Sequence, residues 1–324
     1  MFEKHISCVI INKVTTIYCD CYVNCKGDIL RGLLTLTSFF ASFLGGICLS
    51  DNFFINNKKY ILHSEKVKEN TRFVYLSDLH GRYFSYEANG RDFDYLLDKI
   101  RKADPEYILI GGDLVTVKFE TKIYPCFELL KELVKDYPVY YAIGNHENNL
   151  LWCKNKRKKK NKLAFLEFLD ELDKIGVHVV DNDKWTIEEK NITVHGISLE
   201  REFYNKRLNV KLTKKHCDEL VHIEDKDSYN ILLAHNPEYF YAYKETGMDL
   251  CVSGHYHGGV MKLPKGRGFI SPRFKLFKPD CYGIKKSNGV VHIISAGLGM
   301  HTIPIRLFNH CEIVTIDILK KENK

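Results

Sequence analysis

The feature that most constrains this 324-residue chain is an apolar, strand-like run that ends in polar residues, repeated five times along the sequence. Each run ends in Asp, Asn or His or is followed by one of them within two residues. The runs cover residues 72–78, 107–112, 139–143, 229–234 and 248–253. Segments with helical periodicity lie between them, so the pattern predicts an α/β core. A composition of 45% hydrophobic and 27% charged residues excludes wholesale disorder.

The clearest helix is predicted over residues 91–103, where apolar residues recur with the spacing of one helix face. These apolar positions are Phe93, Leu96, Leu97 and Ile100. Further elements are predicted as helices at about 124–135, 163–176 and 237–246 and as a hairpin at 185–198. Late strands at 290–297 and 312–319 make the last third strand-rich, which indicates a mixed sheet or a second sheet.

The polar residues at the ends of the runs are carboxylates, imidazoles and a carboxamide. Seven of them are candidate metal ligands: Asp78, His80, Asp113, Asn145, His235, His255 and His257. Strands of an open α/β sheet present such residues at one edge, where ligands bind. This donor set contains no thiolate and suits Zn, Mn or Fe. Seven candidates exceed the needs of one tetrahedral ion, so the set favours two ions that share a bridging carboxylate.

The spacing of these residues also predicts local geometry. The outer side chains of the triplets 78–80 and 255–257 are at i and i+2, which point the same way from an extended backbone. The glycines before Asp113, Asn145 and His255 predict sharp turns and a close approach of backbone segments.

Five short motifs resemble, in their residues and their order, those of the calcineurin-like metallophosphoesterase superfamily. They are SDLHG, GGDLV, GNHE, LLAHNPE and SGHYHGG. Within this superfamily, the chain is most similar to the YkuE-like bacterial membrane-associated phosphoesterases, over residues 53–320. The resemblance implies a four-layer α/β/β/α sandwich of two mixed sheets, preceded by an N-terminal apolar helix. The chain departs from the family at Tyr256, where Thr is usual, and in a lysine-rich insert after GNHE.

The resemblance implies three ligands for each of two divalent ions and one ligand shared by both: Asp78, His80 and His257 for the first ion, Asn145, His235 and His255 for the second, and Asp113 as the bridge. It further implies that His146 is not a ligand but lies over the substrate phosphate and donates a proton or hydrogen bond to the leaving oxygen. Arg306 is expected to be exposed or salt-bridged.

The implied reaction is hydrolysis of a phosphomonoester, phosphodiester or pyrophosphate by a two-metal-activated hydroxide, with Mn, Zn or Fe as the metal. A phosphodiesterase that acts near the membrane is the preferred interpretation, with a lipid-linked compound or a nucleotide as the substrate. A nuclease on the same scaffold and a non-catalytic metal-binding sensor or scaffold stay open as alternatives.

Residues 32–50 contain no charged side chain. As a helix they would span about 28 Å, close to the ~30 Å hydrocarbon core of a bilayer. A single membrane-spanning helix is therefore preferred over a cleaved signal sequence or a core helix, with its orientation open. The predicted division is an unassigned segment at 1–31, this helix, a linker and leading strand at 51–71, and a metallophosphoesterase domain at 72–320.

The net charge of +7 is concentrated in one segment. Lys154–Lys162 contains seven basic and no acidic residues, and the remaining chain has 41 of each. The segment is predicted to be a loop that is either simply solvated or meets an anionic substrate or surface. Without aromatic residues between the lysines, no specific nucleic-acid partner is expected.

Overall fold

The computed structural model describes residues 31, 33–87, 90–116, 123–152, 159–205, 208, 210–271, 274–299 and 305–322. The predicted segment 1–31 lies almost entirely outside these residues, as do Lys154–Lys158 of the lysine-rich segment. The chain divides into two compact units, Met1–Leu49 and Ser50–Lys324.

The described residues form seven α-helices with the following bounds: α1 Leu33–Phe53, α2 Asp94–Ala103, α3 Ile123–Leu133, α4 Asn145–Leu151, α5 Lys159–Lys174, α6 Lys214–Leu220 and α7 Phe240–Tyr243. Short 3₁₀ turns occur at Arg201–Tyr204 and Pro237–Tyr239. The apolar stretch of α1 has a mean hydropathy of 1.8 and none of it is buried. Within the described part of the chain, α1 is the helix long and apolar enough to cross a membrane, at about 31 Å for its 21 residues.

The described residues also form fifteen strands: β1 Ile55–Ser64, β2 Thr71–Leu76, β3 Tyr107–Gly111, β4 Val139–Ala142, β5 Val177–Val179, β6 Lys184–Ile187, β7 Ile192–Ile197, β8 Tyr229–Ala234, β9 Leu250–Ser253, β10 Lys262–Leu263, β11 Arg267–Ile270, β12 Leu276–Lys278, β13 Gly283–Ser287, β14 Val290–Ile294 and β15 Cys311–Lys320.

Two six-stranded sheets are present, in the orders β1-β15-β2-β3-β4-β5 and β13-β14-β9-β8-β7-β6. Both are mixed, because β15 runs antiparallel to β2 in the first, and β6 and β13 run antiparallel to their neighbours in the second. A small third sheet has the order β10-β11-β12. The pairing of β6 with β7 confirms the predicted hairpin.

Alternate residues of the central strands face different layers, as the period of a strand requires. In β2, Phe73 and Tyr75 pack between the two large sheets, whereas Val74 and Leu76 pack outward. The outward residues join a buried cluster with α2, α3 and α5. Each fully buried side chain of this size contributes about 1.5–3 kcal/mol to folding relative to an exposed one.

The second sheet alternates in the same way. Ile231 of β8 faces the layer between the sheets, and Leu232 packs outward with Cys217 of α6 and Tyr243 of α7. Helices therefore cover both outer faces, and the two sheets share the central core. This arrangement confirms the predicted α/β/β/α sandwich.

Two predicted elements have different bounds from those expected. The expected helix at 237–246 is a 3₁₀ turn followed by the four-residue α7, because the Asn236 side chain accepts the N–H of Glu238 and Pro237 starts a tight turn. The expected helix at 163–176 begins earlier, at Lys159. The last residues of the lysine-rich segment thus form the first turn of α5, so the prediction of a loop is wrong there.

The sheet topology brings the end of α1 close to the edge where β2 ends. β1 runs parallel to β15, with Ile55 opposite Cys311. β15 runs antiparallel to β2, with Val314 opposite Tyr75. The first residue of β1 therefore lies at the sheet edge from which Asp78 follows β2.

Candidate metal centre

Five strand ends supply the candidate site. β2 leads to Asp78 and His80, and β3 leads to Asp113. β4 leads into α4, whose first two residues are Asn145 and His146. The remaining candidates follow the second sheet: His235 after β8, and His255 and His257 after β9. Since β2–β4 and β8–β9 are parallel within their sheets, these ends meet at one edge.

The backbone at the two triplets is not extended. Asp78 and His80 have φ angles of 54° and 53°, and His255 and His257 have φ angles of 68° and 49°. The premise that these pairs point the same way from an extended strand is therefore wrong. Residues other than glycine seldom adopt this left-handed region, and such conformations concentrate at functional sites.

Three glycines allow the strand ends to approach, as predicted. A Cβ on Gly112 would lie 2.5 Å from the Cα of Gly144, and Gly112 has a φ of 86°. A Cβ on Gly144 would lie 2.3 Å from the amide nitrogen of Asp113. A Cβ on Gly254 would lie 2.3 Å from Oδ2 of Asp78. A side chain on Gly112 would collide with the backbone of Gly144, and one on Gly144 or Gly254 would collide with Asp113 or Asp78.

The first half-site consists of Asp78, His80 and His257, whose candidate ligand atoms all lie within 4.8 Å of one another. Nε2 of His257 is 3.4 Å from Oδ1 of Asp78 and 3.3 Å from Nε2 of His80. Nδ1 of His257 is 3.3 Å from the carbonyl oxygen of Gly299. A carbonyl oxygen can only accept a hydrogen bond, so this contact favours the tautomer with the proton on Nδ1. The lone pair of Nε2 then faces the cluster.

The second half-site groups Asp113, His235 and His255, again within 4.8 Å. Oδ2 of Asp113 is 3.2 Å from Nε2 of His235, and Nδ1 of His235 is 2.8 Å from the carbonyl oxygen of Gly111. The same Oδ2 is 4.0 Å from Nε2 of His80. One carboxylate oxygen of Asp113 therefore lies within 4.0 Å of an imidazole from each group, and its role as the bridge stays a prediction.

His146 lies beside both half-sites. Its Nε2 is 3.9 Å from Oδ2 of Asp113, and its ring centroid is 4.8 Å from that of His80. Its backbone N–H donates to Oδ1 of Asp113 over 2.8 Å. Nδ1 of His146 is 3.4 Å from Oγ1 of Thr116, a contact that orients the ring. The ring is buried, so its Nε2 is directed at the cluster rather than at bulk solvent.

Burial and neighbouring charge shift the ionisation of this cluster. Burial alone would raise the pKa of Asp113, but the charges of His235 and His146 hold that pKa well below its usual range. Burial alone would lower the pKa of His235, but Asp113 outweighs it and raises the pKa to about 10. Burial lowers the pKa of His80 to about 3, so its ring is neutral near pH 7.

The donor atoms fit a divalent cation. Oδ1 of Asn145 is buried and has no hydrogen-bond partner among the described residues. A buried polar atom without a partner is costly, and a bound cation would satisfy it. The two Nε2 atoms of His80 and His257 are 3.3 Å apart, a distance at which they can share an N–H or turn both lone pairs toward a bound cation. Carboxylate, imidazole and carboxamide are ligands that Mn, Zn and Fe accept.

Glu147 supports the second half-site, and the sequence reasoning gave it no role. Its buried carboxylate accepts the N–H groups of Asp113 and Gly144 on one oxygen. The other oxygen accepts the N–H of Val115 and the hydroxyl of Tyr141, each over 3.0 Å. Burial, together with the charge of Asp113, raises the pKa of Glu147 to about 7. The sequence did contain an indication of this role, because Glu147 is the third residue of a helix whose first two residues are candidate site residues.

Asn309 supports the first half-site and was also missed. Its side-chain NH₂ donates to the carbonyl oxygens of His257 and Gly259 over 2.7 and 2.6 Å. Its backbone N–H donates to Oδ2 of Asp51 over 2.9 Å. Oδ1 of Asp51 pairs with Nδ1 of His310 over 2.6 Å. The loop that carries His257 is thus tied to a residue at the end of α1.

Arg306 is buried, contrary to the prediction of an exposed or salt-bridged side chain. Its guanidinium donates to the carbonyl oxygens of Ala296, Gly297 and Gly299. It also donates to the carbonyls of residues 309 and 310. A guanidinium with five donors suits such a concentration of backbone acceptors. Arg306 therefore organises the loop beside the first half-site.

Comparisons with known proteins agree with this geometry. The sequence model of the calcineurin-like phosphoesterase family matches residues 71–259. An uncharacterized metallophosphoesterase of Helicobacter pylori (strain J99) is 26% identical over 272 residues, which cover 82% of this chain but only 64% of that relative. A metallophosphoesterase of Aquifex aeolicus is 26% identical over 292 residues, covering 88% of this chain and all of the relative. The metallophosphoesterase YkuE of Bacillus subtilis is 24% identical over 259 residues, covering 78% and 80% of the two chains.

Proposed function

The chain belongs to the calcineurin-like phosphoesterase family, and from that premise we propose that its two half-sites form a binuclear metal centre that hydrolyses a phosphodiester at a membrane. Family membership establishes the coarser statement, a metal-dependent phosphoester hydrolase. Our proposal adds the number of ions, the residues that bind each ion, the type of ester and the location of the reaction at a membrane.

The observation that carries the proposal is the position of Asp113 between the two half-sites. Its Oδ2 faces His235 over 3.2 Å on one side and His80 over 4.0 Å on the other. We assign each ion its own three ligands and a share of this carboxylate: Asp78, His80 and His257 for the first, and Asn145, His235 and His255 for the second. An acid with access to both groups of nitrogen ligands is what a two-ion centre requires.

When bound, two divalent cations lower the pKa of water and offset the charge of phosphoryl oxygens. The protein's own residues supply the rest of the chemistry. His80, with its low pKa, is neutral at pH 7, whereas His235, whose pKa Asp113 raises to about 10, would release its proton when a cation binds. His146, oriented by Thr116 through Nδ1, holds Nε2 over the centre, and we assign it the proton or hydrogen bond given to the leaving oxygen.

The membrane part of the proposal is supported by α1. Its length of about 31 Å matches the hydrocarbon thickness of a bilayer. We propose that α1 anchors the chain as a single span and that residues 72–320, led by β1, form the catalytic domain. A lipid-linked phosphodiester and a nucleotide phosphodiester are the two substrate classes to compare.

The test is hydrolysis of an aryl phosphodiester by the full chain with Mn, Zn or Fe supplied separately. We expect Asp113→Asn to lower kcat/KM at least about 1000-fold, beyond the 10–100-fold that changes of supporting residues cause. Metal content should fall for both equivalents, because Asp113 serves both half-sites. His63→Ala, an exposed histidine on β1, should keep full activity and metal content.

Full activity in Asp113→Asn would contradict the proposal. Stoichiometric metal without hydrolysis of any phosphoester would support the alternative of a metal-binding sensor. Degradation of single-stranded DNA with Mn would identify the nuclease alternative. A panel of a phospholipid, a nucleotide diester, an aryl diester and single-stranded DNA, assayed with each metal, separates these outcomes.

A further inference from the structure

Aromatic side chains are exposed where α1 ends. Phe53 and Phe54 are 40% and 52% exposed, and their ring centroids are 5.5 Å apart. Phe53 stacks on Tyr95 at 5.7 Å, and Tyr95 contacts Tyr86 at 5.0 Å. Tyr86 is 58% exposed. The rings form a continuous row that begins at the last residue of α1.

Phe308 is another exposed aromatic residue, from a distant part of the chain, whose neighbours contact the end of α1. It is 60% exposed and adopts a φ of 53°, a region in which bulky residues are rarely found. Its neighbour Asn309 donates to Asp51, and Asp51 pairs with His310. These contacts hold Phe308 beside the end of α1. We call Phe53, Phe54, Tyr86 and Phe308 the aromatic collar.

The collar lies at the edge of the first sheet that carries the metal centre. Ile55, which follows Phe54, pairs with Cys311 at the end of the sheet where β2 leads to Asp78. Only β15 separates β1 from β2, which places them about 10 Å apart. Arg82, two residues after His80, donates to the carbonyl of Asn52. The collar and the first half-site are therefore parts of one connected region.

We propose that the aromatic collar inserts into the surface of the lipid bilayer that α1 enters. This inference rests on the proposed membrane anchoring by α1. The bilayer is the occupant that the chain itself indicates, because the collar is continuous with an apolar helix that matches the bilayer in length. Trp and Tyr gather at both membrane interfaces, and Phe is common on the apolar face of segments that lie in the interface. Apolar side chains on such surfaces insert about 5–10 Å into the headgroup region.

Contact between the collar and a bilayer would bring the membrane surface close to the metal centre. Asp51 and Asn52 connect the collar to Asn309 and Arg82, which flank the loops of His257 and His80. A bilayer that covers the collar would lie beside the first half-site. The mouth of the centre would then open at the membrane surface, where a phosphoester group held in the bilayer can reach it.

The experiment uses the full chain, reconstituted in vesicles of phosphatidylcholine and phosphatidylglycerol whose acyl chains carry bromine near the headgroup. Both native tryptophans are first changed to phenylalanine, and one new tryptophan is then introduced at a time. The test variants are Phe54→Trp and Phe308→Trp. The matched control is Ile61→Trp, which is 55% exposed on the same β1 strand, about 20 Å beyond Ile55.

A further variant, Phe43→Trp, reports on α1 itself, because Phe43 lies at its middle. We expect at least about a twofold loss of emission at positions 54 and 308, because both rings insert at the headgroup boundary. Position 61 should lose none. Quenching with vesicles brominated near the chain ends should be strongest at position 43.

Quenching at position 43 without quenching at positions 54 and 308 would contradict insertion of the collar into the bilayer. It would still support α1 as a membrane-spanning helix. A blue-shifted but unquenched emission at 54 and 308 would identify a second copy of the chain as the cover, and it too would overturn the inference. Absence of quenching at 43 would overturn both the anchor and the collar. Hydrolysis of the soluble aryl phosphodiester, measured on the same vesicles, tests the proposed reaction independently of these results.

Discussion

The two half-sites of the proposed metal centre contain similar candidate ligands but are supported in different ways. The second half-site is supported from within the core of the sandwich. The carbonyl of Gly111 in β3 orients His235, and Glu147 at the start of α4 holds the loop of Asp113. Gly111 lies in a strand whose residues are all buried, and Glu147 is itself fully buried.

The first half-site is supported by a late loop instead. Gly299 orients His257, and Asn309 holds the carbonyl of the same histidine. That loop is in turn tied to Asp51 at the end of α1. One half-site therefore depends on the stability of the core, whereas the other depends on contacts with Asp51 in the last turn of α1.

The largest effect in this comparison is expected from Glu147→Gln. The carboxylate accepts four hydrogen bonds, and a carboxamide would direct its NH₂ group at two of those donors. We expect the free energy of unfolding to fall by about 2–3 kcal/mol, because buried donors lose their acceptor. We also expect kcat/KM to fall about 10–100-fold through displacement of Asp113. Urea denaturation and steady-state kinetics measure the two effects.

The control for this change is Tyr141→Phe, which removes one of the four donors and leaves the carboxylate in place. It should lower the free energy of unfolding by about 1 kcal/mol and leave the metal content unchanged. If Glu147→Gln were no more harmful than Tyr141→Phe, the carboxylate would not be the support that we infer.

A smaller and more selective effect is expected from Asn309→Ala. The change removes the two hydrogen bonds to the carbonyls of His257 and Gly259. We expect about a 10-fold weaker affinity for one of the two metal equivalents, because only the first half-site loses a support. Titration of metal into the metal-free chain resolves the two equivalents. Equal weakening of both would show that the half-sites are not supported separately.

The candidate ligand residues could be predicted from the sequence because each lies within a few residues of the end of a buried strand. Asp78 and Asp113 are examples, since parallel pairing of β2 with β3 brings their ends together whatever the intervening chain does. The local sequence pattern therefore predicts where the site lies. It does not predict the backbone conformation, because the left-handed φ of Asp78 is imposed by contacts with Gly112 and Gly254 from distant segments.

The supports of the first half-site could not be predicted for the same physical reason. Asn309 lies 258 residues from Asp51 and 52 residues from His257, and neither separation leaves a local pattern. Arg306 looked like a surface residue because its acceptors are backbone carbonyls, which the sequence does not distinguish. Glu147 differs, since its position in α4 beside His146 was a visible signal.

The smallest predicted effect acts on both half-sites together, because β9 leads to His255 and His257 and so serves each half. His292 on β14 lies beneath that strand end, 2.9 Å from Oγ of Ser253 and stacked on Phe240. Burial, aided by the charge of Lys285, holds the pKa of His292 well below its usual value of 6.5. The unfolded chain therefore binds a proton below pH 6.5 that the folded chain does not bind.

Stability from His292 is thus present above pH 6.5 and is lost as the pH falls below it, by up to about 1.4 kcal/mol per pH unit. In His292→Gln, urea denaturation at a series of pH values should show a shallower decline below pH 6.5 than in the parent chain. His222→Gln, an exposed histidine, should leave the slope unchanged. Because β9 serves both half-sites, any loss of metal that accompanies the decline should affect both equivalents alike. A loss confined to one equivalent would place the effect of His292 in a single half-site and weaken the view that β9 supports both.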